Sequence, residues 1–189
     1  MITLVVGVPN SGKSALAESL VMEQSESDKR IYIATMIPFG EEGDARVKKH
    51  QKLREGKGFF TVEAPVDVAG AASKVAGIED STFLLECVSN LVGNVMHEDG
   101  AEVQTQGKEP VKRSDEDVVS KVVSDIKALS GMCKNLVIVT NSFPMDGEGY
   151  DEDTRRYARL VALVNEKLRD LADKIYEYSQ GKWREHEHN

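Results

Sequence analysis

Short apolar runs alternate with longer stretches of helical periodicity along the chain. Ile2 to Val6, Ile31 to Thr35, Phe59 to Glu63, Thr82 to Glu86, Leu136 to Thr140 and Ile175 to Tyr178 read as strands. Most are nearly continuous in apolar residues, as strands covered on both faces must be. Between them, Ser14 to Glu23, Glu41 to Arg54, Val66 to Val75, Asn90 to His97, Asp115 to Leu129 and Asp153 to Ala172 read as helices. The alternation predicts an α/β fold, a mostly parallel sheet with helices on both faces in three α/β/α layers. Glu98 to Arg113 (98–113) is rich in Glu, Gln, Gly and Lys, has few groups that can pack, and reads as a mobile surface loop. No internal repeat or domain boundary stands out, so 1–181 reads as one domain and 182–189 as a polar C-terminal tail. In that tail His186 and His188 have a spacing that could touch a metal, but a solvated polar ending is the better reading.

Composition narrows the picture. A chain of 189 residues can bury a core without disulfides or metals. With 40% apolar and 30% charged residues and a net charge of -8, it has the balance of a water-soluble globular protein. The acidic surface repels polyphosphate backbones, so no nucleic acid is expected as a partner. Cys87 and Cys133 lie far apart and form no metal-type pair, which suits a reducing compartment and two small buried hydrophobes. There is no run of about 20 apolar residues to span a bilayer and no signal-peptide pattern, so a cytoplasmic location is expected.

The chemistry begins where the first strand breaks. Gly7, Val8, Pro9, Asn10, Ser11, Gly12, Lys13 and Ser14 fit G-x-x-x-x-G-K-[ST], directly after a buried strand and directly before a helix. Backbone N–H groups of such a loop converge on phosphate oxygens, because glycine tolerates positive φ and has no Cβ in the way. The helix N-terminus adds its dipole, Lys13 adds a point charge for β- and γ-phosphates, and the Ser14 hydroxyl is a candidate Mg²⁺ ligand. The loop predicts nucleoside triphosphate binding and names neither base nor reaction.

Six of the residues from Glu41 to Gly58 are Lys or Arg, unusual in an acidic chain. In a helix Arg46, His50 and Arg54 fall at i, i+4 and i+8 and share one face, two cations flanking an imidazole. Such a face suits a polyphosphate, with guanidinium clamps and a neutral ring nitrogen that attacks phosphorus. A solvated amphipathic helix is the alternative, and Lys48, Lys49 and Lys52 fit its wet side. Glu63 and Glu86 each end a predicted strand, where open parallel sheets bind ligands. Either could hold Mg²⁺ through water, accept a hydroxyl proton, or bond a sugar or guanine edge, or be a half-exposed strand-end charge. Asn90, Asn94 and Asn141 could line the same cleft or serve as caps and packing. The loop from Ser142 to Asp151 could be a lid or a plain connection. Arg155, Arg156 and Arg159 could approach phosphates, though exposed arginines are commonplace.

Taken together, GVPNSGKS, IYIAT (31–35), ARVKKHQKLR (45–54), FFTVEAP (59–65), LLECVSNLVGNVM (84–96) and LVIVTN (136–141) resemble the adenosylcobinamide kinase/adenosylcobinamide-phosphate guanylyltransferase family. VNEKLRDLAD (164–173) resembles its final helix. The resemblance implies a P-loop NTPase fold of the recombinase-type ATPase kind, frequently a homo-trimer. It implies a bifunctional transferase of cobalamin biosynthesis that phosphorylates adenosylcobinamide with ATP or GTP, then moves GMP from GTP through a guanylylated histidine onto adenosylcobinamide phosphate. The family's R-[IV]-x-x-H-x-x-x-R pattern falls on Arg46, Val47, His50 and Arg54, making His50 the implied nucleophile. The implied nucleotide contacts are the loop Gly7 to Ser14, then Ile33, Ala34 and Thr35, Arg46, Gln51, Lys52, Leu53 and Arg54, and Glu63 and Glu86. This chain departs from the family after Asn141, where Ser142, Phe143, Pro144 and an acidic loop follow, and at Tyr157, Ala158, Arg159 and Ala162.

Overall fold

A computed structural model describes residues 1–26, 28–98, 113–143 and 149–187. Six strands run parallel and a seventh closes one edge. In chain order they are β1 (Ile2–Gly7), β2 (Arg30–Ala34), β3 (Phe59–Glu63), β4 (Thr82–Glu86), β5 (Asn135–Asn141), β6 (Lys174–Ser179) and β7 (Lys182–Glu187). The sheet order is β3-β2-β4-β5-β1-β6-β7, with only the β6/β7 pair antiparallel. The helices are α1 (Lys13–Gln24), α2 (Gly40–Arg54), α3 (Val68–Ala72), α4 (Val88–His97), α5 (Asp115–Met132) and α6 (Glu152–Leu171).

Period-2 alternation divides the core between the two faces. Leu4, Val6, Phe83, Leu85, Leu136 and Ile138 face α3 to α6, whereas Val5, Leu84, Val137 and Val139 pack with Ala17, Leu20 and Val21 of α1. The three-layer α/β/α arrangement expected from the alternation is therefore present. Carboxylates close several helix starts: Asp151 accepts from Thr154 N at 2.7 Å at the head of α6, and Asp125 of α5 accepts from Val68 N and Ala69 N at the head of α3.

One expectation meets a different outcome, and another falls mostly outside the described residues. The polar tail is not a tail: residues 182–187 form β7, joined to β6 by a tight turn in which Gln180 and Gly181 both have positive φ. Trp183 stacks edge-on against Tyr178 at 5.3 Å, and Lys174 of β6 reaches Glu185 and Glu187 at 3.3 and 3.0 Å. Cross-strand pairs of this kind stabilise an exposed edge strand that carries almost no apolar pattern. His186 sits in β7 opposite Ile175, and His188 lies outside the described residues. The loop expected over 98–113 is described only at Glu98 and Arg113, which form an ion pair at 3.0 Å. The interior of that loop, and 144–148 of the Ser142 to Asp151 segment, lie outside the described residues. No helix among the described residues is long and apolar enough to cross a membrane.

Candidate active site

The phosphate loop forms at the carboxyl end of β1, an interior strand between β5 and β6. Gly7 is required there by close approach, since a Cβ would lie 2.6 Å from Ser11 Oγ and 3.1 Å from the Cβ of Tyr178. Gly12, with φ 85°, makes the left-handed turn that releases the chain into α1. Lys13 is buried and its Nζ donates to the carbonyl of Val8 at 2.7 Å, closing the loop on itself. Burial pushes the Lys13 ammonium below its ordinary pKa, with Cys87 and Glu86 opposing the shift. Ser11 Oγ is buried with no hydrogen-bond partner among the described residues, an acceptor or donor kept for something else.

Glu86, the last residue of β4, gathers the site. Its Oε1 accepts a short hydrogen bond from the Ser14 hydroxyl, and the Nδ1 of His50 stands 3.7 Å from the same oxygen, beyond hydrogen-bond range. Glu86 Oε2 and His50 Nδ1 are both buried without a hydrogen-bond partner among the described residues. Three residues from three segments thus form one line, from the phosphate loop through the strand end to α2. Burial pushes the hydroxyl of Tyr32, one strand over, far above its usual pKa, with the Glu86 carboxylate adding to the shift.

The helix carrying His50 is polar, and Arg54 is its one buried residue. It is held at its C-terminal end. The Arg54 guanidinium lies 3.4 Å above the centroid of the Tyr32 ring, Lys57 Nζ donates to Glu18 Oε2 of α1 at 2.5 Å, and Arg30 donates to the Lys57 carbonyl at 2.6 Å. Arg46, His50 and Arg54 do share a face, and the face passes from water to protein along the helix: Arg46 is exposed, His50 half-buried, Arg54 buried. Between that helix and the edge strand β3 opens a cleft of about 720 Å³ lined by Lys48, Gln51, Lys52, Arg54, Phe59 and Thr61. Lys48 and Lys52, expected on the wet side, line this cleft, and Arg54 Nη1 is buried without a partner among the described residues. Leu53 is exposed.

The remaining expected residues have mixed placements. Ala34 is flanked in register by Glu63 on β3 and Glu86 on β4, so both carboxylates stand at one level of the sheet, roughly 10 Å apart by strand spacing. Glu63 is exposed. Ile33 is fully buried in the core, and Thr35 is a latch rather than an open binding surface. Its hydroxyl donates to the Cys87 carbonyl and accepts from Cys87 N, both at 2.8 Å. Asn94 donates to the carbonyls of Thr35 and Pro65 at 2.7 and 2.8 Å, the packing alternative for that residue. Arg156 and Arg159 do not approach the phosphate loop: both pair with Asp115 of α5, at 2.7 and 3.4 Å, and clasp α5 to α6. Sequence reasoning missed a second cavity, of about 250 Å³, on the opposite face of the sheet, lined by Asn141, Phe143, Ala158, Ala162, Asn165 and Arg169. No spacing rule signals it, because its walls come from the end of β5 and one side of α6.

No curated protein matches the chain significantly. Among solved structures, the ATPase domain of G40P superposes with a TM-score of 0.51 at 11% identity, covering 94% of this chain and 69% of that one. A prototypical ATPase from the type III secretion system of pathogenic bacteria superposes with a TM-score of 0.54 at 12% identity, covering 95% of this chain and 51% of that one. Such identities speak for the P-loop ATPase fold alone. The phosphate loop and a histidine brought to the same carboxylate go further when a family model is set against them: the model described as cobinamide kinase / cobinamide phosphate guanyltransferase matches residues 3–184, and the chain belongs to that family.

Proposed function

We propose that this chain carries out both reactions of its bifunctional family around one carboxylate, with His50 as the nucleophile of guanylyl transfer. The observation that carries the reading is the line Ser14–Glu86–His50, which links the phosphate loop to the one imidazole beside it within a single chain. Nδ1 faces the Glu86 carboxylate at 3.7 Å, so a small closing movement would let that carboxylate hold the Nδ1–H and leave the Nε2 lone pair for attack, the orienting logic of a base held by a third group.

In the kinase step the alcohol oxygen of cobinamide forms a bond to the γ-phosphorus of ATP or GTP. The bond to the β-phosphate oxygen breaks, the nucleoside diphosphate leaves, and the alcohol proton passes to a base. In the second reaction Nε2 of His50 attacks the α-phosphorus of GTP, pyrophosphate departs, and a histidine–GMP phosphoramidate remains. An oxygen of cobinamide phosphate then attacks that phosphorus, the P–N bond breaks with its electrons returning to His50, and cobinamide-GDP is released. Lys13 and the loop amides hold the negative charge that develops on the leaving phosphates. Arg54 and the cleft beside it suit the rest of the nucleotide: its guanidinium stacks on Tyr32, and the buried Nη1, without a hydrogen-bond partner among the described residues, is matched to an anion or a base edge.

The donor set fits Mg²⁺: the Ser14 hydroxyl and the Glu86 carboxylate face each other, and Glu86 Oε2 is buried without a partner among the described residues. Ser14 and Glu86 would hold the ion, which offsets phosphate charge. Adenosylcobinamide as the natural corrinoid, a homo-oligomer such as a trimer, a cytoplasmic location and the absence of nucleic acid among the partners belong to the same reading. The net charge of -8 supports the last of these. The test is incubation with GTP labelled at the α-phosphate. Covalent label on wild type and none on His50→Ala is expected; equal labelling of the two proteins, or no label on wild type, overturns the assignment.

A further inference from the structure

The connection from β2 to α2 exposes three consecutive residues, Ile37, Pro38 and Phe39, of which Ile37 is 60% and Phe39 93% accessible. Runs of exposed apolar side chains are selected against in a soluble fold unless they contact something. Neither Ile37 nor Phe39 belongs to either core cluster. The segment is nonetheless shaped: a Cβ on Gly43 would lie 3.2 Å from both the Cα and the carbonyl carbon of Pro38, so the first turn of α2 packs directly against it. Immediately after it stand the acidic residues Glu41 and Glu42 in that first turn, followed by Asp44, all exposed.

We propose that Ile37 and Phe39, with Glu41 and Glu42 beside them, seat the corrinoid ring of cobinamide; the inference rests on the function proposed above. The chemistry matches on two counts. A cobalt(III) corrin is a broad macrocycle studded with methyl groups, and it carries positive charge. An apolar wedge bordered by carboxylates is complementary to both features. The placement matches as well. Phe39 is the N-cap residue of α2, eleven positions before His50, roughly 16 Å away by helical rise. The reacting group of cobinamide sits at the end of a flexible arm, so the ring must rest at a distance from the phosphorus and not on it. A second copy of the chain is a poorer occupant, since two or three side chains offer far less than the roughly 800 Å² per partner of a stable interface.

The experiment compares wild type with Ile37→Ser/Phe39→Ser and with the conservative Phe39→Leu. Cobinamide binding is read by ultrafiltration with corrinoid absorbance, which needs no turnover. Labelling of His50 by α-labelled GTP in the absence of corrinoid is read alongside. The double serine variant is expected to weaken cobinamide binding roughly tenfold or more, with Phe39→Leu retaining most of it and both variants labelling like wild type. Glu41→Gln/Glu42→Gln is expected to weaken binding in the same direction. Unchanged cobinamide affinity in the double serine variant overturns the inference. So does a fall in oligomer mass with affinity intact, which assigns the patch to a second copy. Failure of wild type to label bears on the nucleophile assignment alone, because corrinoid binding is scored separately.

Discussion

The ion pair between Lys57 and Glu18 is the tie whose removal has the most calculable effect. Glu18 lies within α1 with a side chain 1% exposed, and its partner Lys57, just past α2, is 33% exposed, with Nζ and Oε2 2.5 Å apart. Lys57→Met keeps the aliphatic stem and leaves the Glu18 carboxylate buried without its cation. Breaking a fully buried pair from one side costs about 3–5 kcal/mol. Because Lys57 is a third exposed and water screens it, the expected loss is nearer 2 kcal/mol. For a domain of this size that corresponds to a fall in Tm of about 4–8 °C. The double substitution Glu18→Leu/Lys57→Met removes the stranded charge and is expected to recover most of the loss, to within about 1 kcal/mol of wild type. Urea unfolding followed by circular dichroism reads both. The pair also fixes where α2 ends relative to α1, so guanylylation of His50 should slow in both variants even where stability returns. A single variant that loses less than about 0.5 kcal/mol, or a double variant no more stable than the single, refutes the reasoning.

Three further outcomes are expected. Glu86→Gln preserves shape and removes the charge that Ser14 and His50 face, so the rate of GMP loading should fall about 10–100-fold with little change in thermal stability; loading at the wild-type rate would contradict the orienting role. A hydrogen bond from Arg156, together with its charge, holds the Asp115 carboxyl below its usual range. The pair therefore contributes fully above the unfolded carboxylate pKa of about 3.9 and is lost as pH falls through the lowered native value, so Asp115→Asn should flatten the acid side of a Tm-against-pH profile, and parallel profiles would rule the clasp out. Gly7→Ala forces a methyl toward Ser11 and Tyr178, which should cost about 1–3 kcal/mol and abolish nucleotide binding by equilibrium dialysis; full binding would mean that the loop tolerates the shift.

Where sequence reasoning succeeded, the information was local. Phe59–Glu63 and Thr82–Glu86 have the same bounds in sequence and structure: each is a short run of apolar and β-branched residues closed by a glutamate, although β4 is buried throughout and β3, at the sheet edge, is largely exposed. The phosphate loop was legible because its glycines answer steric needs within eight residues. β7 was not, since an exposed edge strand is specified by its neighbour: Lys182–Glu187 makes sense only opposite Lys174–Ser179. Both Arg54 and Arg156 were candidates to approach phosphates, yet Arg156 clasps two helices while Arg54 lies over Tyr32 beside an open cleft.

The order of hydrophobic runs, the turn at GVPNSGKS and the spacing of Arg46, His50 and Arg54 determined the α/β class, the phosphate loop and a helix with one cationic, imidazole-bearing face. Tertiary structure alone decided that this face meets Glu86 and that Glu86 also receives Ser14. Those residues are 36 and 72 positions apart from Glu86. No periodicity spans such distances. They converge because β4 lies between β2 and β5 in the sheet, which places the Glu86 carboxylate where the loop leaving β1 and the helix returning from β2 can both reach it.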